Sequence, residues 1–537
     1  MRRFADLLDS LAFQPARGAK LRLITAYLRD TPDPDRGYAL AALTGALDMA
    51  AVKPALLREF GTARMGETLF ALSYDYVGDL AETVALAWDA IPRDRTSTAT
   101  GPAPSLSTIV ETLSRSSKRE AAPLLERWMD ALDATGRWAL LKLVTGGLRV
   151  GVSARLAKQA VAELGGVPID EVEEVWHALA PPYAGLFAWL AGGPRPDPGA
   201  APTFRPSMLA TPLEEAELPA LDPSAYRAEW KWDGVRVQLV ATAGSRRLFT
   251  RSGDDASAAF PDVLEAMAFD AVLDGELLVA RAGGEGSLDV APFSDLQQRL
   301  NRKQAGAKLL RDHPAHVRLY DALFLDGEDL RSSPFDVRRA RLERWYAAVR
   351  PARLDLSPLI PFSTWAELAA LRDGARVAAI EGLMLKRGDS AYVAGRPKGP
   401  WFKWKRAALT ADCVLMYAQR GHGKRSSFYS DYTFGCWRTH EDAAPELVPV
   451  GKAYSGFTDA DLARLDKWVR DHAVQRFGPV LEVAPGLVLE IAFDAVQRST
   501  RHKSGLAMRF PRVHRIRWDK PAAEADGVDT LERLIAT

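Results

Sequence analysis

Cys413 and Cys436 are the only two cysteines among 537 residues. That scarcity excludes a disulfide framework and any zinc site built from four thiolates, and it suits a reduced, intracellular setting. No run of about eighteen uncharged apolar residues occurs, the length a spanning helix needs, so no membrane association is expected. Charge of one sign is lacking as well. Seventy basic residues face 69 acidic ones, a net charge of +1, and a polyanionic partner would have to be met by local patches. There is no repeat array and no long low-complexity tract. The rest is ordinary for a folded protein, 47% hydrophobic and 26% charged, which excludes a disordered chain. The length calls for two to four domains.

The opening MRRFADLLDSLAFQPARGAKLRLITAYLR is amphipathic and bears arginine, like a transit peptide, but Asp6 and Asp9 favour the first helix of a folded domain. Residues 1–190 carry apolar side chains at three- and four-residue spacing, as in YALAALTGALDMAAV and SARLAKQAVAEL, which predicts helices. Proline, glycine and alanine then pile up in AGGPRPDPGAAPTFRP, residues 191–206, the best linker in the chain. Beyond it, VRVQLVAT, RRLFTRSG, AVLDGELLVA and VRLYDALFLDG predict strands, interrupted by helices at PDVLEAMAF and DVRRARLERWYAAV. From about residue 409 short strands recur, with one helix at DADLARLDKWVRDHAVQRF, a pattern that suits a small barrel of the OB type.

The chemistry concentrates in a few segments. In EWKWDGVR, Lys231 lies between Trp230 and Trp232. A lysine amine attacks phosphorus or carbonyl only when neutral, and burial beside tryptophans and other cations would favour that form. Asp233-Gly234 is equally a good hairpin turn, and a lysine stem can simply cover apolar surface. WFKWKR places Lys403 and Lys405 on one side of a strand, where a phosphate would satisfy both; a solvated basic strand edge is the plainer reading. EGLMLKRG sets Glu381 and Lys386 at the ends of an apolar run, and Glu276 follows an Asp-Gly pair in VLDGELLV. Buried carboxylates must meet a cation or solvent, and magnesium is held by few oxygen ligands shared with nucleotide phosphates.

Taken in order, KWDGVR, RSG at 251–253, DGE at 274–276, LYD at 319–321, EGLMLK, FKWKR and RIRWDK at 515–520 resemble the nucleotidyltransferases that pass a nucleotide through a lysine. Across the whole chain the resemblance is closest to ATP-dependent DNA ligases of the three-domain type. It implies an all-α DNA-binding domain at 1–200, an α+β adenylation domain at 201–408 and a β-barrel OB-fold domain at 409–537. It makes Lys231 the adenylated nucleophile and Glu229 the reader of the adenine amino group. Arg236 and Arg251 would hold ribose and phosphates, and Tyr320 would stack on adenine. Glu276 and Glu381 would serve magnesium, for which manganese can substitute, while Lys403 and Lys405 grip the α-phosphate. Arg517, Asp519 and Lys520 would approach pyrophosphate from the third domain, with Arg299, Arg509, Arg512 and Arg515 as further phosphate contacts. LLKLVTGGLRVGVSARLAKQAV resembles the family's loop against the DNA backbone, with Gly146, Gly147 and Gly151 admitting main-chain amides to phosphate and Arg149 adding charge. A helix C-cap followed by an N-cap at Ser153 is compatible with that role. The implied substrates are ATP and nicked duplex DNA, handled by a monomer in the cytoplasm, in replication, repair or recombination. A hinge is expected near Ala407–Asp412. An RNA ligase, an mRNA capping guanylyltransferase and a catalytically silent DNA-binding scaffold are the alternatives.

Overall fold

The computed structural model describes all residues except 48, 50–51, 90–101, 198, 200–201, 284–286, 301, 303, 376–378, 407, 421–428, 440–443, 455–458, 501 and 536–537. By internal contacts the chain forms two compact units, residues 1–160 with 408–537, and residues 161–407.

Helices carry the first part of the chain as the periodicity predicts, from Arg2–Phe13 through Ala184–Leu190. Their starts are chemically marked. Asp79, Ser105, Ser117 and Asp133 each accept a hydrogen bond from the amide three residues on, and Glu120 returns the bond to Ser117 in a capping box. Each such cap stabilises its helix by about 1 kcal/mol. The opening helix buries Phe4, Leu7, Leu8 and Leu11, so the first residues are part of a packed core.

The 161–407 unit contains seven principal strands: β1 (Tyr226–Trp232), β2 (Val235–Thr242), β3 (Ser245–Thr250), β4 (Ala271–Ala282), β5 (Ala315–Leu325), β6 (Ile380–Arg387) and β7 (Trp401–Lys405). They make two sheets. In one, β7, β6 and β1 are neighbours, flanked by Thr211–Pro212 and Leu359–Ile360; in the other the order is β3, β2, β4, β5. Asp233-Gly234 is therefore no hairpin turn, because β1 and β2 belong to different sheets and the pair carries the chain across. A Cβ on Gly234 would sit 2.4 Å from the Leu277 carbonyl oxygen, so close approach to β4 is what demands glycine. Asp274-Gly275 is not a turn either but lies inside β4, whereas Asp326-Gly327 does turn the chain, with φ of 52° and 81°.

In the C-terminal region β8 (Leu409–Arg420), β9 (Tyr429–Arg438), β10 (Glu446–Ala453), β11 (Ala473–Phe477), β12 (Val480–Val483), β13 (Val488–Phe493) and β14 (Arg512–Arg517) form one sheet. Its order is β10, β9, β8, β12, β11, with β13 joining the far half of β8 and β14 pairing β13. The long β8 thus serves two neighbours on one side, the curl of an OB-like domain. Among the described residues no ladder joins β10 to β14. The helix predicted over 459–477 stops at Asp471, and Ala473–Phe477 is a strand instead, paired antiparallel with β12; that pairing overrides the three-residue spacing of Val474 and Phe477, which reads as helical in sequence.

Candidate active site

Strand register assembles the site. Across β1, β6 and β7, Lys231 pairs with Gly382 and Gly382 with Lys405, while Glu229 pairs with Met384 and Met384 with Lys403. Since side chains alternate, one face of the sheet presents Glu229, Lys231, Met384, Lys386, Lys403 and Lys405. The opposite face buries Tyr226, Ala228, Leu383, Leu385, Phe402 and Trp404 in an apolar core. Strict alternation would also send Glu381 to that core. A β-bulge between Ile380 and Gly382 makes Glu381 the extra residue and turns it to Lys231. Gly382 beside it has φ 147°, and a Cβ there would meet the Trp404 carbonyl oxygen at 2.4 Å.

The second sheet supplies the facing wall with Arg236, Glu276 and Tyr320, and Thr250, Arg251 and Ser252 at the end of β3 close it. The cavity between the sheets measures about 520 Å³, enough for a nucleotide. Lys231 Nζ lies 2.5 Å from Glu381 Oε2, and Lys405 Nζ 3.2 Å from the same oxygen. Burial pushes the Glu381 carboxyl up, but the two ammonium groups outweigh it and hold it below the usual carboxylate range. Lys231 thus has a carboxylate, not a further cation, as its nearest charged partner, contrary to the surroundings expected from sequence. Arg251, Lys403 and Arg396 also line the cavity. Among the described residues none of these three has a carboxylate in ion-pair reach. Burial, then repulsion from Arg396, Lys405, Lys231 and Arg251, lowers the Lys403 ammonium below its ordinary value.

Glu276 is pushed up to about 7 by burial, with Glu381 adding repulsion against the counteracting Lys231 and Arg236. The sign of the linkage follows: a carboxyl that titrates near 7 when folded and near 4.5 when unfolded makes folding less favourable as pH rises through that interval. In the metal-free protein Glu276→Gln is therefore expected to stabilise the fold above pH 7, by up to about 3 kcal/mol, and to leave it unchanged near pH 4. Thermal unfolding across pH checks this.

Other expected residues are present with altered duties. Arg236 donates to Asp274 Oδ2 at 2.5 Å, to the Tyr392 hydroxyl at 2.9 Å and to the Met208 carbonyl. Its guanidinium therefore braces the wall, and gripping ribose or phosphate would require those bonds to change. Arg299 is fully buried in a two-pronged pair with Asp262, at 2.6 and 2.9 Å, which removes it from the phosphate contacts. Tyr320 lines the cavity. Lys386 and Arg339, which the sequence motifs leave without a role, hold Glu229 at 2.6 and 3.3 Å; the period-two register of EGLMLK is the signal for the first, and nothing local marks the second.

A family model described as "ATP dependent DNA ligase domain" matches residues 207–405, and one described as "ATP dependent DNA ligase C terminal region" matches residues 425–520. A "Probable DNA ligase" of Koribacter versatilis is 30% identical over 99% of this chain and 96% of its own. The chain belongs to the ATP-dependent DNA ligase family. A "Probable DNA ligase" of Anaeromyxobacter dehalogenans is 33% identical over 92% of this chain and 99% of its own. The solved structure "Pmar-Lig_PreS3" shares the fold over 96% of this chain and 99% of its own, with a TM-score of 0.57 at 17% identity. The protein is thus an enzyme, a DNA ligase that uses ATP, with a helical N-terminal region followed by adenylation and OB-like domains. No helix among the described residues is long and apolar enough to cross a membrane.

Outside the cavity, the ligase's loop after the helix Ala134–Val144 is shaped by its glycines. Gly146, at φ 67°, donates to Leu143 O and Gly147 to Lys142 O, so both amides cap the helix and are not offered to phosphate. Arg149 remains exposed, and Lys20 Nζ fixes the loop from behind through Val150 O at 2.6 Å and Gly151 O at 3.1 Å. Ser153 accepts from Leu156 N at 3.2 Å and caps the next helix as expected. In the OB-like domain, Arg517 and Lys520 share Asp412 at 3.1 and 2.8 Å, and Arg517 also pairs with Asp519 at 2.9 Å. Of the expected hinge, Ala407 lies outside the described residues, and β8 begins at Leu409.

Proposed function

We propose that this ligase seals nicks in duplex DNA through AMP carried on Lys231, with domains at 1–200, 201–408 and 409–537. The observation that carries the reading is the convergence of one nucleophilic amine and three cations, Arg251, Lys403 and Arg396, which have no carboxylate in ion-pair reach among the described residues, on a single nucleotide-sized cavity. Unpaired charge of that density is costly unless a polyanion completes it, and a triphosphate does. The Lys231–Glu381 pair must open for reaction, because a protonated amine has no lone pair. Lys231 then attacks the α-phosphorus and pyrophosphate leaves, while Lys403 and Lys405 face the charge that develops. The AMP passes to the nick's 5′-phosphate, and the 3′-hydroxyl displaces it.

Glu276 and Glu381 would hold magnesium. Such an ion takes one or two carboxylates and completes its shell from phosphate and water. When bound, it would neutralise charge on the triphosphate. Arg517 and Lys520 would orient pyrophosphate during self-adenylation and move away for sealing, by rotation at a hinge near Ala407–Asp412. The double change Arg517→Ala/Lys520→Ala is accordingly expected to slow self-adenylation roughly 100-fold while sparing the sealing of a nick already bearing 5′-adenylate, as followed in single-turnover assays.

The test is sealing of singly nicked duplex with end-labelled 5′-phosphate, ATP and magnesium. Joined DNA is expected with ATP and not with GTP, and nicked DNA should be preferred to nicked RNA. Label transfer from GTP, or joining of RNA alone, would select one of the alternatives.

A further inference from the structure

Glu229 is gripped from two sides. Lys386 Nζ lies 2.6 Å from its Oε2 and Arg339 Nη1 lies 3.3 Å from its Oε1, and all three side chains are buried. Neither cation is free to wander. Arg339 also donates to Ser357 O at 2.8 Å and to Glu343 at 2.7 Å. Lys386 sits 4.4, 4.8 and 4.9 Å from the ring centres of Tyr320, Trp401 and Phe335. Two buried cations on one carboxylate contribute little to stability that apolar side chains could not match, yet Glu229 and Lys386 both line the nucleotide cavity. That placement gives the charges a use.

We propose that Arg339 and Lys386 are positioning residues that set base selectivity, by presenting Glu229 to the nucleotide as a fixed acceptor-only group. This rests on the reading that Glu229 faces the base. A carboxylate paired with two cations has lone pairs left and no proton to donate. It accepts from the 6-amino group of adenine, opposes the oxygen of a 6-oxo purine, and finds nothing in a purine without a 6-substituent. Selectivity then lies in how firmly the carboxylate is aimed. The helix Phe335–Val349, which carries Arg339, becomes a determinant of nucleotide choice although it adds no side chain to the cavity.

The experiment measures KM and kcat for protein–nucleotide adduct formation with ATP, inosine triphosphate and purine riboside triphosphate. The native protein is compared with Arg339→Met, Arg339→Lys and Lys386→Met, with thermal unfolding alongside. The native protein is expected to favour ATP over both analogues by at least roughly tenfold in KM. Arg339→Met and Lys386→Met should raise KM for ATP toward that for purine riboside triphosphate, whose own KM shifts less than about twofold, and Arg339→Lys should recover part of the loss. Equal loss for all three nucleotides at unchanged unfolding temperature would overturn the proposal, as would selectivity intact in both methionine variants. If Arg339→Met does not fold, Lys386→Met and Arg339→Lys read the same split. Adducts formed equally from all three nucleotides by the native protein would refute the base-facing role of Glu229, whereas no adduct from any would refute the lysyl–nucleotide reading itself.

Discussion

Lys231→Ala is expected to leave no protein–AMP adduct and to lower ATP-driven sealing by on the order of 10⁴-fold or more. The same variant should still join a nick supplied with its 5′-adenylate, because that last step uses the 3′-hydroxyl as nucleophile and needs only the surrounding charges. The separation matters, since a variant that had lost its fold would fail both assays. Geometry makes Lys231 irreplaceable. Lys405 shares the Glu381 oxygen, but its row on β7 is separated from Lys231 by Gly382 on β6. Lys386 cannot substitute while it is buried against Glu229.

The largest loss of stability should come from Arg338→Met. Arg338 is fully buried and forks onto Asp321 at 2.8 and 2.9 Å, while its Nη1 donates to the Ser333 and Ser390 carbonyls at 2.6 and 2.9 Å. One side chain thereby ties the helix Phe335–Val349 to β5 and to the segment after β6. Removing it strands the buried Asp321 charge, at a cost of about 3–5 kcal/mol. The companion change Asp321→Leu in the same chain should recover part of that, since the stranded carboxylate is then gone. Urea unfolding of the full chain, read at the transition that exposes the 161–407 unit, checks both variants.

Much of the site was legible in advance because strand register preserves sequence spacing. Lys403 and Lys405, two apart, do share a face with Lys231 and Glu229, as period two requires. Asp-Gly pairs were harder, since the same dipeptide turns the chain at 326–327, passes through a strand at 274–275 and crosses between sheets at 233–234. Only the neighbouring strand distinguishes them, and local sequence does not name that neighbour. Glu381 illustrates the same limit: alternation points it into the core, and one bulge reverses it. Arg339 was invisible because its partner is 110 residues away in the chain. The glycines of the 145–153 loop read in sequence as permitting close approach to phosphate, but the amides of Gly146 and Gly147 are used by the helix they end.

Peptide mapping after incubation with α-labelled ATP and magnesium tests the central claim most directly. The account predicts an acid-labile AMP on the single peptide containing Lys231, discharged by pyrophosphate. Label on Lys386, Lys403 or Lys405, or no label in protein that still seals nicks with ATP, would contradict it.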